Sequence, residues 1–138
     1  MGSITGTPEL SDSSTIFRAL VTRATRRVAG HNTLELARYE VGNAIVKENR
    51  IFKTLHPDQA EELTREACIL LDNMTILPTE GNEPAISLTA IKTGLTYYDA
   101  SYMHTAKTLG LTLATEDTQL KTAANQTGTP TTSLDELT

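Results

Sequence analysis

The sequence contains few of the features that usually point to a function. Only one of its 138 residues is a cysteine, Cys68, and none is a tryptophan, which excludes a disulfide framework and a cysteine zinc knuckle. No apolar run approaches the roughly 20 residues of a membrane span. Basic residues are not in excess either, since the formal net charge is -5. We therefore expect a soluble, cytoplasmic protein that makes no contact with membranes.

Two common kinds of active site are also missing. The three histidines, His31, His56 and His104, are scattered without ligand spacing, so a metal-binding or catalytic histidine is not expected. No glycine-rich phosphate loop is present, which argues against a nucleotide-hydrolysing P-loop protein. Cys68 lies on a predicted helix with no base nearby, and we expect it to be buried by packing.

Short strands and amphipathic helices alternate along the chain. Strands are predicted at Thr33–Leu36, Thr75–Leu77, Leu111–Thr115 and Thr131–Ser133. A chain of this length forms one domain. We assign it to residues 10–138, after a polar lead-in at residues 1–9 that is compatible with a partly vector-derived start. Strands separated by helices pair in parallel. The pattern predicts an α/β three-layer sandwich whose central, mainly parallel sheet of roughly four or five strands is flanked by helices.

Apolar spacing also predicts where the helices lie. The first helix continues to Gly30, with Val21 on its buried face, and the second covers about Ala37–Phe52, with Phe52 on the inner stripe. The remaining predicted helices begin near Pro57, Pro84, Tyr97 and Asp117.

Four acidic residues stand at or just before the starts of predicted helices. They are Asp12, Glu40, Asp99 and Asp117. A carboxylate at a strand-to-helix junction points off the carboxyl edge of a parallel sheet, and several in one pocket cannot all stay ionised unless a cation or proton offsets their repulsion. A hard divalent metal that acts on phosphate is the natural occupant.

Each of these acids also has a simpler explanation. Asp is a favoured helix N-cap, so capping alone accounts for a single aspartate at such a position. Glu40 shares a helix face with Asn43 and Lys47, three and seven residues later. That row is compatible with a solvated surface, or with Glu40 facing the acidic pocket while Asn43 orients it. Glu116, beside Asp117, is expected to face solvent.

Four segments together resemble a known family. Leu95–Tyr102 contains a Tyr-Tyr-Asp-Ala turn, and Leu113–Leu120 contains a Thr-x-Asp ahead of a helix. An opening Asp-Ser motif is present at Asp12-Ser13-Ser14. A Glu-x-x-Asn helix is present at Tyr39–Ala44. In order and spacing the chain resembles PIN-domain ribonucleases, and among them the VapC toxins of prokaryotic toxin–antitoxin pairs. In that family an apolar first strand precedes the opening aspartate. Here the segment before Asp12 is polar and contains Pro8, so either the first strand is short or the native start of the chain was altered.

The resemblance implies a PIN-like fold and a metal-dependent endoribonuclease that hydrolyses RNA phosphodiester bonds. It implies that Asp12, Asp99 and Asp117 hold Mg²⁺ or Mn²⁺, with Glu40 ligating directly or through water. Three further residues are implied as supports of those ligands: Ser13, Asn43 and Thr115.

The resemblance further implies a homodimer and a VapB-like antitoxin that occupies the active-site groove. Four apolar or aromatic residues near the proposed site either supply interface area or pack in the core. They are Tyr97, Tyr98, Tyr102 and Met103. Two other functions remain open from the sequence. One is a PIN nuclease of RNA processing rather than a toxin, and the other is a catalytically impaired, Mg²⁺-binding interaction module.

Overall fold

The fold is known from a computed structural model that describes residues 8–138, so most of the polar lead-in, residues 1–7, lies outside the described residues. Five parallel strands form one sheet in the order β3-β2-β1-β4-β5. The strands are β1 Glu9–Ser11, β2 Asn32–Leu34, β3 Thr75–Leu77, β4 Thr112–Ala114 and β5 Thr131–Thr132. The helices are α1 Ser13–Val21, α2 Leu36–Arg50, α3 Pro57–Asp72, α4 Glu83–Thr93, α5 Tyr97–Leu109 and α6 Thr118–Gln126. The predicted α/β sandwich is confirmed.

The central strand β1 is short for a reason visible in the sequence. Pro8 precedes it, and a proline cannot donate to a sheet ladder, so the strand begins only at Glu9. The carbonyl of Pro8 still accepts a hydrogen bond from the Thr112 N–H at 2.9 Å. Glu9 belongs to the sheet, one residue before the start assigned to the domain.

Two apolar clusters cover the two faces of the sheet. One lies between the sheet and helices α4, α5 and α6, and its fully buried members include Leu10, Ile86 and Leu113. The other lies beneath α1, α2 and α3 and contains Ile16 and Ile45. No helix in the described part of the chain is long and apolar enough to cross a membrane.

Two predicted helix ends were wrong because non-glycine residues adopt left-handed backbone conformations. Arg23 has a φ of 60°, and α1 ends at Val21 instead of continuing to Gly30. Val21 is consequently 47% exposed. Lys53, with a φ of 59°, turns the chain after α2. Phe52 therefore leaves the inner stripe and is 60% exposed.

The prediction that Cys68 is buried was also wrong. Helix α3 buries the face that carries Leu63, Ala67, Leu70 and Leu71. Cys68 follows Ala67 by one residue, a rotation of about 100° around the helix, and this places its thiol on the exposed side.

Candidate active site

The candidate site lies at the carboxyl edge of the sheet, where the strand order reverses. Strand β1 pairs with both β2 and β4, so the chain passes to one side of β1 first and to the other side later. Ligand sites in open parallel sheets occur at such a switch point. Asp12 directly follows β1 and Thr115 directly follows β4, which brings residues about a hundred positions apart into contact.

Asp12 is buried and held by three hydrogen bonds. Its side chain is 3% exposed. The Thr115 hydroxyl donates to Oδ2 at 2.6 Å, while the Ser14 hydroxyl and the Thr15 N–H donate to Oδ1 at 2.7 and 3.0 Å. The last of these bonds caps α1, so Asp12 is an N-cap and a pocket residue at once. Burial raises the pKa of Asp12, and the hydrogen bonds offset part of that rise.

Asp117 is connected to Asp12 through one hydroxyl. Thr115 Oγ1, which donates to Asp12, accepts a hydrogen bond from the Asp117 N–H at 3.0 Å. Asp117 Oδ1 accepts from the Leu120 N–H at 3.0 Å and caps α6. The predicted support by Thr115 therefore reaches two of the four acids.

Asp99 shows most directly that the four carboxylates share one field. Its pKa is raised to about 6, first by burial and then by the negative charges of Asp117, Asp12 and Glu40. Capping does not explain this residue, because Thr96 is the N-cap of α5 and its hydroxyl oxygen accepts from the Asp99 N–H at 3.1 Å.

Glu40 faces the pocket, and its support comes from a residue that the sequence patterns did not single out for that role. The Tyr102 hydroxyl donates to Glu40 Oε1 at 2.9 Å, and Tyr102 is 1% exposed. Burial and then the charge of Glu40 raise the pKa of Tyr102, while a hydrogen bond with Ser13 lowers it. Asn43, expected to orient Glu40, is exposed and makes no hydrogen bond with Glu40 in the described part of the chain.

One signal could have revealed Tyr102. It lies three residues after Asp99 and therefore shares a face of α5 with it. Of the two roles left open for Tyr102 and Met103, the structure supports core packing, since both are buried. Tyr97 and Tyr98 are 41% and 57% exposed.

Two residues beside the acids also have roles that the sequence did not show. Ser14 donates to Asp12 and accepts a hydrogen bond from the Glu116 N–H at 2.9 Å. Glu116 was expected to face solvent, but its carboxylate accepts from the Leu134 N–H at 2.8 Å and lies 3.7 Å from Arg18 Nε. Glu116 therefore belongs to the scaffold behind the pocket.

The donor set fits a hard divalent cation in type. Asp12, Glu40, Asp99 and Asp117 offer only carboxylate oxygens, the ligands such ions prefer, and burial followed by the charges of the other three acids raises the pKa of Asp99. As the side chains stand, no three acidic, histidine or cysteine side chains within residues 8–138 are close enough to hold one ion. Ligation of one ion by three of them would require these side chains to move closer together.

Comparison with known proteins identifies the fold family. The family model described as the PIN domain matches residues 12–126, a span from the first of the four acids to the end of α6. The chain belongs to the PIN domain family.

Two relatives support this assignment. The chain is 33% identical over 87 residues to the protein named Exonuclease VapC9 from Pyrobaculum aerophilum, an alignment covering 63% of this chain and 62% of that relative's length. The crystal structure of PAE2754 from Pyrobaculum aerophilum is similar with a TM-score of 0.77 and 26% identity, and the match covers 94% of this chain and 92% of the other. The predicted resemblance to VapC-type PIN proteins is confirmed.

Proposed function

We propose that this PIN-domain protein is a metal-dependent endoribonuclease that hydrolyses RNA phosphodiester bonds, and that it is the toxin of a VapBC-type toxin–antitoxin system. The observation that carries the proposal is the proximity of four carboxylates: burial, and then the negative charges of Asp117, Asp12 and Glu40, raise the pKa of Asp99 to about 6. Perturbed titration of clustered acids in a cleft is typical of sites built for catalysis. Similarity to Exonuclease VapC9 supports a nuclease rather than another use of the fold.

Asp12, Asp99 and Asp117 would hold Mg²⁺ or Mn²⁺, with Glu40 ligating directly or through water. Such an ion, when bound, stabilises charge on phosphoryl oxygens and lowers the pKa of a coordinated water. The protein contributes orientation. Thr115 joins the Asp12 carboxylate to the backbone of Asp117 at the start of α6, so the positions of these two residues are coupled before a ligand arrives.

Tyr102 positions Glu40, and burial shields Asp12 from water. The Tyr102 hydroxyl holds one oxygen of Glu40, which leaves the other oxygen available to a ligand. Since Asp12 is 3% exposed, water has little access behind the acids. Electrostatic interactions are stronger in such a site than in bulk water.

A VapB-like antitoxin is the partner that we propose. A cleft of about 430 Å³ is lined by Leu34, Leu36, Leu77, Pro78, Tyr97 and Tyr98 among others, and the last of these directly precedes Asp99 on α5. Pro78, Tyr97 and Tyr98 are exposed, and exposed apolar side chains of this kind suit a short apolar segment of a partner protein.

The proposed homodimer has support on a different surface. Leu88 and Ile91 of α4 are 51% and 77% exposed, and apolar residues grouped on one helix often mark an interface. Light scattering at micromolar concentration tests this part alone. A monomer there would count against the dimer and leave the chemistry untouched.

A metal titration with a panel of labelled RNAs, run beside a chelator control, tests the activity. We expect cleavage in Mg²⁺ or Mn²⁺ and none in chelator. Metal binding without cleavage would favour the impaired interaction module, and cleavage that persists in chelator would contradict the proposal.

The toxin role needs a separate test in cells. Expression is expected to arrest growth, and co-expression of a small neighbouring antitoxin gene is expected to relieve the arrest. RNA cleavage in vitro without growth arrest would instead indicate a PIN nuclease of RNA processing.

Tyr102→Phe is expected to lower the cleavage rate about tenfold, the size typical for loss of a residue that orients a ligand. The loss in free energy of unfolding should be only about 1 kcal/mol, because Glu40 is partly exposed and can rehydrate. Tyr98→Phe is the matched control, since Tyr98 is 57% exposed and Glu40 does not depend on it. Equal rates in the two variants would show that Tyr102 does not position Glu40.

A further inference from the structure

We infer that the outer face of α2 is a binding track for a single-stranded nucleic acid, leading to the carboxylate site. This inference rests on the proposed nuclease function and assigns the path by which the substrate approaches. The α2 track, as we call it, consists of Tyr39, Asn43, Lys47 and Arg50, continued by Lys53 beyond the helix.

The track lies on the same stripe of α2 as Glu40. At 3.6 residues per turn, Glu40, Asn43, Lys47 and Arg50 fall within an arc of about 80°. With a rise of 1.5 Å per residue, Lys47 lies about 10 Å and Arg50 about 15 Å beyond Glu40 along the helix axis. A strand bound along this stripe would reach the acids at its end. The buried side of α2 is formed by Ala37, Val41 and Ile45.

The cations of the track are available to a ligand. Arg18, Arg23, Arg38 and Arg65 are engaged in ion pairs with carboxylates. Within residues 8–138, Lys47, Arg50 and Lys53 form no such pair, and all three are exposed.

The neighbouring charges support this arrangement. The one acid between Lys47 and Lys53 is Glu48, whose carboxylate accepts a hydrogen bond from the Thr54 hydroxyl at 2.7 Å. Five other cations of residues 8–138 also form no ion pair: Arg26, Arg27, Lys92, Lys107 and Lys121. The three lysines lie on three different helices, and Arg27 donates to the Leu134 carbonyl at 3.2 Å.

Tyr39 makes a nucleic acid the best-fitting occupant. Its side chain is 73% exposed and is separated from Asn43 by one helical turn. Proteins that bind single strands combine cations along the backbone with aromatic rings on which bases stack. The helix dipole favours Lys47 and Arg50 near the end of α2, but it explains neither Lys53, which lies beyond the helix, nor an exposed tyrosine.

The net charge of the protein also favours the track as the place where a nucleic acid binds. A protein with a net charge of -5 repels a polyanion over most of its surface, so phosphates can approach favourably only where unpaired cations are concentrated. The track is such a place, and it adjoins the carboxylates that would act on a phosphodiester.

Binding of a labelled single-stranded RNA of about ten nucleotides, in chelator and followed by fluorescence anisotropy, tests the track without any requirement for cleavage. The test variant combines Lys47→Gln, Arg50→Gln and Lys53→Gln. The matched control combines Lys92→Gln, Lys107→Gln and Lys121→Gln, which changes the net charge equally. We expect the test variant to bind the RNA at least about tenfold more weakly. The negative slope of log affinity against log salt should become less steep by about 2. The control should stay within about twofold of the parent.

Tyr39 is tested in the same assay. Tyr39→Ala should bind about fivefold to tenfold more weakly, while Tyr39→Phe retains the ring and the parent affinity. Thermal unfolding of each variant excludes a folding defect as the cause of a loss.

Several outcomes would overturn the track. Equal losses of RNA affinity in the two triple variants would show that net charge alone, and not the position of the track, determines binding. Polyglutamate that competes with the RNA as well as unlabelled RNA does, and whose binding is unchanged by Tyr39→Ala, would indicate an acidic protein partner instead. If the test variant cleaves RNA with metal as fast as the parent, the track is rejected and the nuclease function stands. If RNA binding is weakened by the track substitutions but the parent does not cleave RNA, only the nuclease function is rejected.

Discussion

Asp117→Asn and Asp99→Asn are each expected to abolish metal-dependent RNA cleavage while leaving the metal-free protein equally or more stable. An amide in place of one carboxylate oxygen removes a charged ligand and keeps the shape of the side chain. Loss of charge stabilisation in the transition state should reduce the rate by at least about a thousandfold. Gel analysis of a labelled RNA over a range of metal concentrations measures the loss.

The stability of the Asp99 variant should depend on pH in a defined direction. The folded-state pKa of Asp99 is about 6 against an ordinary 3.8, so the folded protein binds this proton more tightly than the unfolded chain. Ionisation therefore destabilises the fold as pH rises from about 4 through about 6, and the penalty persists above that. Asp99→Asn removes the penalty. Since Asp99 is only half-buried, screening by solvent limits the gain at pH 7 to about 1 kcal/mol.

Urea unfolding in chelator across that pH range measures the gain, which should vanish near pH 4. Added metal should reverse the order, because an ion that binds the folded parent stabilises it and the variant binds the ion poorly. A variant that is less stable than the parent at pH 7 in chelator would contradict the shared field of the four acids.

Asp135→Asn is the charge control for both variants. Asp135 lies outside the pocket with 72% of its side chain exposed and pairs with Arg18. Its replacement removes the same charge and should leave cleavage unchanged. Capping does not confuse the result at Asp117, because asparagine caps a helix about as well as aspartate. RNA cleavage retained by both Asp99→Asn and Asp117→Asn would reject the mechanism.

The sequence predicts those parts of the fold that depend on local periodicity. The Thr75–Leu77 strand lies where the pattern places it, and Pro8 limits β1 as expected. Asp12, Asp99 and Asp117 could be named because each stands where a strand ends or a helix begins, and parallel strands bring such positions to one edge. Glu40 is the fifth residue of α2, past its first turn, so the resemblance of the Glu-x-x-Asn segment is what identifies it. The role of the four acids as ligands stays a prediction.

Features that depend on contacts between distant segments could not be predicted in this way. Glu40 and its partner Tyr102 are 62 residues apart, and helix spacing pointed instead to Asn43, which is on the same helix. The turns at Arg23 and Lys53 were missed because left-handed conformations are expected at glycine. Tertiary packing decides these positions, and local sequence does not record it.

Thr115→Val is expected to destabilise the protein by about 2–3 kcal/mol at neutral pH, the cost of removing a hydrogen bond to a buried charged group. Thr115 is fully buried. Its hydroxyl donates to Asp12 Oδ2 at 2.6 Å and accepts from the Asp117 N–H at 3.0 Å. Valine fills nearly the same space but satisfies neither partner. Cleavage should fall as well, because both acids lose their alignment.

The pH dependence separates this loss from ordinary packing. Burial already raises the pKa of Asp12, and the Thr115 hydroxyl lowers it again, so valine should raise the pKa further. A raised folded-state pKa destabilises the fold once pH exceeds the ordinary value of 3.8. The deficit of Thr115→Val, measured by urea unfolding in chelator, should therefore be larger at pH 7 than near pH 4.

Thr33→Val is the matched control. Thr33 is also fully buried, but its hydroxyl donates to the neutral backbone carbonyl of Ser11 at 2.8 Å, so its loss should cost about 1 kcal/mol at every pH. Thr115→Ser keeps the hydroxyl and should lose only the packing of one methyl group, about 1 kcal/mol without pH dependence. If Thr115→Val and Thr33→Val lose the same free energy at pH 4 and pH 7, Thr115 does not stabilise an ionised Asp12, and the pre-alignment of the two acids fails with it.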